Sequence, residues 1–158
     1  MKIIPRRRRL EAKTNYTKRK RLLEGRKPRI VIRKTNRYIL IEYVESKAAQ
    51  DNVKLIVNSK ELLEHGWPKE QLGSLKSLGA AYLTGILFGK KAEKMESAIL
   101  DTGLIRSTKG SRIYAAVKGI KDAGFDLPCG EKVFPEESRI KKEFSFFDKV
   151  KKADEGAK

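Results

Sequence analysis

Apolar residues along this chain change period from every second position to every third or fourth, and the changes mark out strands and helices. Residues 29–34, RIVIRK, set Ile30 and Ile32 between Arg29, Val31 and Arg33; Thr35-Asn36-Arg37 interrupts the run, and residues 38–44, YILIEYV, resume it. Two β-branched stretches around a short turn containing Asn predict a β-hairpin. A third strand is expected at residues 53–57, VKLIV, after a polar link from Ser46 to Asn52. The signals then weaken through residues 58–74, a loop with Trp67-Pro68 and a short helix at Lys60 to His65. Leu75, Leu78, Tyr82, Ile86 and Leu87 recur at spacings of three and four, which predicts a long helix from near Ser74, with Gly89 and two lysines near its end. A fourth strand is expected at Ser97 to Leu100. Ser111 then caps a helix from Arg112 to about Ala123, with apolar Ile113, Ala116, Val117 and Ile120, ended by Gly124.

Strands followed by helix, strand and helix make an α/β fold. The expected architecture is a mixed β-sheet, an antiparallel hairpin plus a strand that enters after a helical crossover and pairs in parallel, packed with two main helices and preceded by a basic N-terminal extension. Residues 1–15 lack hydrophobic periodicity and are expected to be disordered in the free chain. Asn15 can cap a short helix running through Lys20 and Glu24, with Gly25 and then Pro28 as its stop. From Leu127 the pattern reverts to a loop with Pro128 and Pro135, a short helix near Glu136 to Lys142, an aromatic patch of Phe144, Phe146 and Phe147, and eleven frayed residues. The expected division is therefore a 1–25 basic extension, a 26–126 α/β domain and a 127–158 C-terminal extension.

Charge changes this picture most. Residues 1–37 hold 16 Lys and Arg against 2 Asp and Glu, a net +14 of the chain's +17. A nearly balanced domain behind a cationic arm points to a polyanionic partner, with nucleic acid the leading candidate. At 39% apolar residues, the 158-residue chain has enough for one core. No run of about 18 uncharged apolar residues exists to span a bilayer. The arm also lacks the Trp, Phe and Leu face of an interfacial helix, so no membrane partner is expected. Arg6 to Arg9 lead into Leu10, Glu11 and Lys13 instead of an apolar signal core, which makes the cytoplasm the expected location. Cys129 and His65 are the sole cysteine and histidine, so a His/Cys zinc site would need carboxylates for half its ligands. Neither a metal nor another cofactor is expected, and no small-molecule substrate.

Two unbroken cationic tetrads stand out, Arg6-Arg7-Arg8-Arg9 and Lys18-Arg19-Lys20-Arg21. Guanidinium groups chelate phosphate oxygens in pairs, whereas lysines act as mobile point charges. The alternative is a solvated tail or an import signal, but the excess continues through Arg26, Lys27, Arg29, Arg33, Lys34 and Arg37 into the first strand. Tyr16 and Tyr38 lie among these cations. Tyr16, with few apolar neighbours, is the better candidate for stacking on a base, and core packing at a strand start suits Tyr38 at least as well. Thr108-Lys109-Gly110-Ser111-Arg112 precedes a helix, where unpaired N–H groups and the dipole favour an anion. The order KGS and Ser107 in place of a glycine exclude a P-loop. Gly79, Gly85 and Gly89 each cost the long helix about 1 kcal/mol relative to alanine, and packing of the helix on the sheet is the expected compensation at Gly85. Asp101 and other carboxylates leave one enzymatic alternative, a metal-dependent nuclease on an α/β scaffold.

Three separated blocks, YTKRKRLLEGRKPRIVIRKTNRYI at 16–39, AAYLTGILFGKKA at 80–92 and LDTGLIRSTKGSRIYAAVKGIKDAGFDLPCGEKVFPEESRI at 100–140, together resemble the ribosomal protein family L-eighteen of the large subunit, called L-five in eukaryotes. The RRRR start and the GEKVFPEESRI segment look like its archaeal branch. The resemblance covers almost all of residues 5–140, most loosely at 46–74. It implies a structural, non-catalytic protein that binds 5S rRNA and helps attach the 5S particle to 23S rRNA in the central protuberance, beside a neighbouring 5S-binding ribosomal protein and other large-subunit proteins. By position in the matched blocks, RNA contacts are implied at Arg7, Arg8, Arg9, Lys13, Tyr16, Arg19, Arg21, Arg29, Arg33, Asn36 and Arg37, and further at Thr108 to Arg112. Arg6 and Lys18 join this set as members of the two tetrads.

Overall fold

The computed structural model of the chain describes residues 4–47, 50–141, 150 and 152. It contains α1 (Arg7–Leu10), α2 (Tyr16–Glu24), β1 (Arg29–Lys34), β2 (Ile39–Lys47), β3 (Gln50–Asn58), α3 (Leu78–Lys91), β4 (Ile99–Asp101), α4 (Arg112–Asp122) and α5 (Glu137–Lys141). The four strands form one sheet in the order β3-β2-β1-β4. The pair β1 and β4 is parallel and the others are antiparallel, so the expected mixed α/β sheet is present.

Alternation in the strands decides which face is buried. Ile30 and Ile32 of β1 pair with Tyr43 and Ile41 of β2, Ile41 pairs with Val57 of β3, and all five side chains are buried. Helices α3 and α4 supply the other half of that core with Leu83, Leu87, Phe88, Val117 and Ile120. Leu127, Ile140 and Val150 also belong to it. Phe125 makes edge-on ring contacts with Tyr43 and Phe88, with centroids 6.5 Å apart in each case, and so ties the end of α4 to both layers.

Several boundaries fall elsewhere than the pattern suggests. The expected polar link 46–52 is mostly strand, because Ser46 pairs with Asp51 and Lys47 with Gln50 across the hairpin. Strand β3 accordingly starts at Gln50 instead of Val53. Ladder hydrogen bonds reward extended backbone whatever the side chains are, and ion pairs described below absorb the polar ones. Helix α3 begins at Leu78, not near Ser74. The Ser77 hydroxyl accepts the Ala80 N–H, whereas the Ser74 hydroxyl donates back to the Gln71 carbonyl in the preceding 3-10 turn. Leu75 is nonetheless fully buried from that turn. The helix expected at Lys60 to His65 is a 3-10 turn, Ser59–Leu63, set by an Asn58–Glu61 capping box. Strand β4 is shifted by two residues at its start and runs to Asp101.

At the N-terminus, residues expected to be disordered form a helical turn. Lys13 and Thr14 N–H groups bond the Arg8 carbonyl, and Arg8 Nε donates to Thr14 Oγ1 at 2.9 Å. Helix α2 stops as expected near Gly25, but Arg26 takes the left-handed backbone, with φ 49°, and Gly25 stays right-handed. Gly124, with φ 93°, ends α4 as expected. The aromatic patch Phe144, Phe146 and Phe147 lies outside the described residues, as do all but two of the last eleven.

Glycines in α3 compensate in a different place from the one expected. A Cβ built on Gly85 would stand 2.2 Å from the Ala116 carbonyl oxygen, and one on Gly119 would stand 2.1 Å from that of Tyr82. Gly85 thus fits α3 to α4, not to the sheet. Tyr82 Oη also bonds Asp122 across the same interface at 2.8 Å.

Candidate nucleic-acid interface

Cations at residues 6–37 divide by what the fold does with them. Arg6, Arg7, Arg8, Arg9, Lys13, Arg21, Arg33 and Arg37 are exposed, and so is Asn36 at the β1–β2 turn. Lys18 and Arg19 are half-buried on the side of α2 that faces the sheet. Arg29, expected to reach RNA, is 2% exposed. An arginine at a strand position facing away from the core has no reason to be buried unless something covers that face. Here α2 does so.

Asn15 starts α2 by accepting the Lys18 N–H. Helical spacing then puts Lys18, Arg19 and Leu22 toward the outer face of the sheet. Lys18 Nζ reaches Thr102 Oγ1 and the Gly103 carbonyl, each at 3.0 Å, in the loop after β4. Arg19 forms a two-toothed pair with Asp51, at 2.8 and 3.0 Å. Asp51 also accepts from Ser46 Oγ at 2.7 Å and from Arg29 Nη2 at 2.8 Å, while Arg29 Nη1 reaches Asp101 at 2.8 Å. One charged chain therefore runs from α2 through β3 and β1 to β4. Sequence reasoning missed Asp51 and Ser46, since only the folded hairpin brings residue 51 beside residues 19 and 29.

Charge states follow from this geometry. Burial alone would raise the Asp51 carboxyl, but hydrogen bonds from Arg19 and Ser46 and the positive charges of Arg29 and Arg19 outweigh it and hold the carboxyl at about 2. The Arg19 guanidinium is correspondingly raised, chiefly by its hydrogen bond to Asp51. A depressed acid contributes stability that is complete above its unfolded value, about 3.9, and lost as pH falls toward the folded value. Acid unfolding between about pH 4 and 2 is expected to be less steep in Asp51→Asn than in the parent chain, as read from unfolding midpoints against pH. Identical slopes would remove Asp51 from the acid response.

Above the charged chain lies a cleft of about 370 Å³, whose lining includes Arg8, Lys13, Lys18, Arg19 and Arg33, with Arg29, Asp51 and Asp101. The fold thus gathers six of the expected cations around one concavity, Arg29 at its floor among them. Arg6 stacks on Tyr16, with its guanidinium carbon 4.7 Å from the ring centre, and both line a second recess with Arg9 and Lys20. Tyr38 packs against the core. Asn36, Arg37 and Thr108 to Arg112 lie outside the lining of both concavities. At the latter segment Gly110 has φ 67°, and Ser111 occupies the N-cap position of α4 without capping it. Its Oγ is buried with no hydrogen-bond partner among the described residues.

Asp101 belongs to this electrostatic frame. Its carboxylate accepts from Arg29 and from the Gly103 N–H, at 2.8 and 2.9 Å. No group of three or more His, Cys, Asp and Glu among the described residues is arranged to hold a metal ion. The nuclease alternative rests on Asp101, and that carboxylate is engaged by a buried arginine.

Known proteins match the chain over most of its length. The family model described as "Ribosomal large subunit proteins 60S L5, and 50S L18" matches residues 2–97 and 91–130. "Large ribosomal subunit protein uL18" of Korarchaeum cryptofilum is 49% identical over 148 residues, 91% of this chain and 74% of that relative. The proteins of the same name from Methanothrix thermoacetophila and Ignicoccus hospitalis are 47% and 44% identical, each over 89% of this chain and over 82% and 68% of their own lengths. These relatives are large ribosomal subunit proteins of archaea. With a basic arm, a mixed four-stranded sheet and matches of this extent, the chain belongs to the family of ribosomal large subunit proteins 60S L5 and 50S L18.

Proposed function

We propose that this constituent of the large ribosomal subunit binds 5S rRNA and helps attach the 5S particle to 23S rRNA in the central protuberance. The observation that carries the reading is the placement of exposed arginines on two concavities beside α2, one of them with Tyr16 and a stacked guanidinium at its wall. Arginines spaced along a fixed surface suit bidentate phosphate contacts, and a Tyr–Arg stack offers a flat face to an unpaired base. In this reading Arg6 to Arg9, Lys13, Tyr16, Arg21, Arg33, Asn36 and Arg37 meet RNA directly. Thr108 to Arg112 form a separate contact at the start of α4, where Lys109 is exposed and the helix dipole favours an anion. Lys18 and Arg19 act through the docking of α2 as well as through their charge, and Arg29 acts through the fold.

Filter binding to 5S rRNA across a salt series tests this. Replacing Arg6 to Arg9 together by glutamine is expected to make the slope of log affinity against log salt shallower by about three units, at 0.7 to 0.9 per lost phosphate contact. An unchanged slope, or parent-chain affinity no greater for 5S rRNA than for a size-matched RNA, would overturn the proposal.

A further inference from the structure

The cations of α2 sit on a helix that has little else to hold it. It is nine residues long and has no buried residue. Helices shorter than about 12 residues are marginal in water by themselves, so the orientation of α2 depends on its attachment to the sheet. Apolar attachment is limited to the half-buried Leu22 and Leu23. The polar attachment has two parts: Lys18 reaches Thr102 and Gly103 after β4, and Asp51 takes both Nη atoms of Arg19, from the middle of α2, and is itself fixed by Ser46 and by the 2%-exposed Arg29. With 3.6 residues per turn, fixing Arg19 against the sheet also fixes the direction of the exposed Lys20 and Arg21 on the opposite side.

We propose that Asp51 is a positioning residue for RNA binding, an acid that strengthens the hold on a polyanion because it docks the basic helix α2 on the outer face of the sheet. This rests on the RNA-binding reading above and adds a residue that charge alone would count against binding. Simple electrostatics predicts that neutralising any carboxylate near the arm improves affinity. Preorganisation predicts the reverse at Asp51, because an undocked α2 must be ordered at the moment of binding.

The test compares Asp51→Asn with Glu45→Gln in the full chain. Glu45 lies on the neighbouring strand in an exposed pair with Lys54 at 3.6 Å, so the second variant removes the same charge without touching α2. Two readouts are taken: salt-dependent binding to 5S rRNA, and hydrogen exchange of α2 amides in the RNA-free protein. Glu45→Gln is expected to bind as tightly as the parent chain or more tightly, with unchanged exchange. Asp51→Asn is expected to bind more weakly, with a salt slope shallower by about one unit or more and faster exchange confined to residues 16–24. Asp51→Glu keeps the charge within reach of Arg19 and is expected to restore most of the affinity, which a mere loss of fold at this position would not allow.

Asp51→Asn that matches Glu45→Gln in slope and in exchange would overturn the positioning role. Asp51→Glu as weak as Asp51→Asn would do so as well. A parent chain that shows no preference for 5S rRNA defeats the RNA reading instead, and the exchange comparison, which contains no RNA, still decides whether Asp51 docks α2.

Discussion

Replacing Gly119 by alanine is expected to lower stability by about 2 kcal/mol, the upper end of typical overpacking, about 3 kcal/mol, less the roughly 1 kcal/mol gained from better helix propensity. The obstruction is backbone: the new Cβ would lie 2.1 Å from the Tyr82 carbonyl oxygen and 3.1 Å from Ile86 N. Neither atom can rotate away, so α3 and α4 must separate and open the core they share. Gly85→Ala meets the reciprocal obstruction at Ala116 and Ile120 and should behave alike. Gly73→Ala is the control, since a Cβ there would have nothing within 4 Å of it and the φ of Gly73 is not positive. Thermal unfolding reads the difference as a fall of about 4 to 8 °C, at 2 to 4 °C per kcal/mol for a chain of this size. A Gly119→Ala protein that melts with or above the parent chain would show that the helices part at no cost.

Those glycines also show how far a one-dimensional pattern reaches. The cost of Gly85 in a helix is visible from local propensity, and so is the need for a close neighbour to offset it. The identity of the neighbour is not, because Ala116 and Ile120 lie 31 and 35 positions away and carry no mark of the pairing. Strands β1 and β2 are legible from Ile30, Ile32, Ile39 and Ile41, whose alternation has one physical cause, a single face packed on the apolar core. The extension of the hairpin through Ser46 and Asp51 is not, since polar residues there pair with arginines from other elements. The start of α3 turns on which of two serines has its hydroxyl facing forward, a matter of tertiary placement.

The binding surface is legible as charge and illegible as geometry. Arg6 to Arg9, Arg33 and Arg37 stand exposed as their number and type suggest. Lys18, Arg19 and Arg29 have the same residue types and direct their charged groups onto other parts of the protein. Nothing local separates the two groups. What separates them is whether a carboxylate or carbonyl from a distant segment arrives beside them, which only the folded hairpin and the β1–β4 pairing determine.

Arg29 therefore gives the second large effect, and it is expected to appear in stability before it appears in binding. Its side chain is 3% exposed, and its two Nη groups serve Asp101, Ser46 and Asp51. Its Nε is buried without a partner among the described residues, which already lowers the net value of the arginine. Arg29→Met removes the cation and leaves the Asp101 carboxylate, 13% exposed, without it. Breaking a buried pair from one side costs about 3 to 5 kcal/mol, equivalent to a fall of about 6 to 20 °C in melting temperature. Changing Asp101 to leucine in the same protein is expected to recover part of that loss, because an apolar pair no longer buries a lone charge, although the Gly103 N–H loses its acceptor. Arg29→Lys should fall between, since one ammonium cannot span the carboxylates that the guanidinium fork reaches on both sides. Measured beside salt-dependent RNA binding, the series separates a structural arginine from a contacting one. Arg29→Met with an unchanged melting temperature and a shallower salt slope would return Arg29 to the RNA surface, and a lowered melting temperature with an unchanged slope at a temperature where the variant is folded keeps it in the frame.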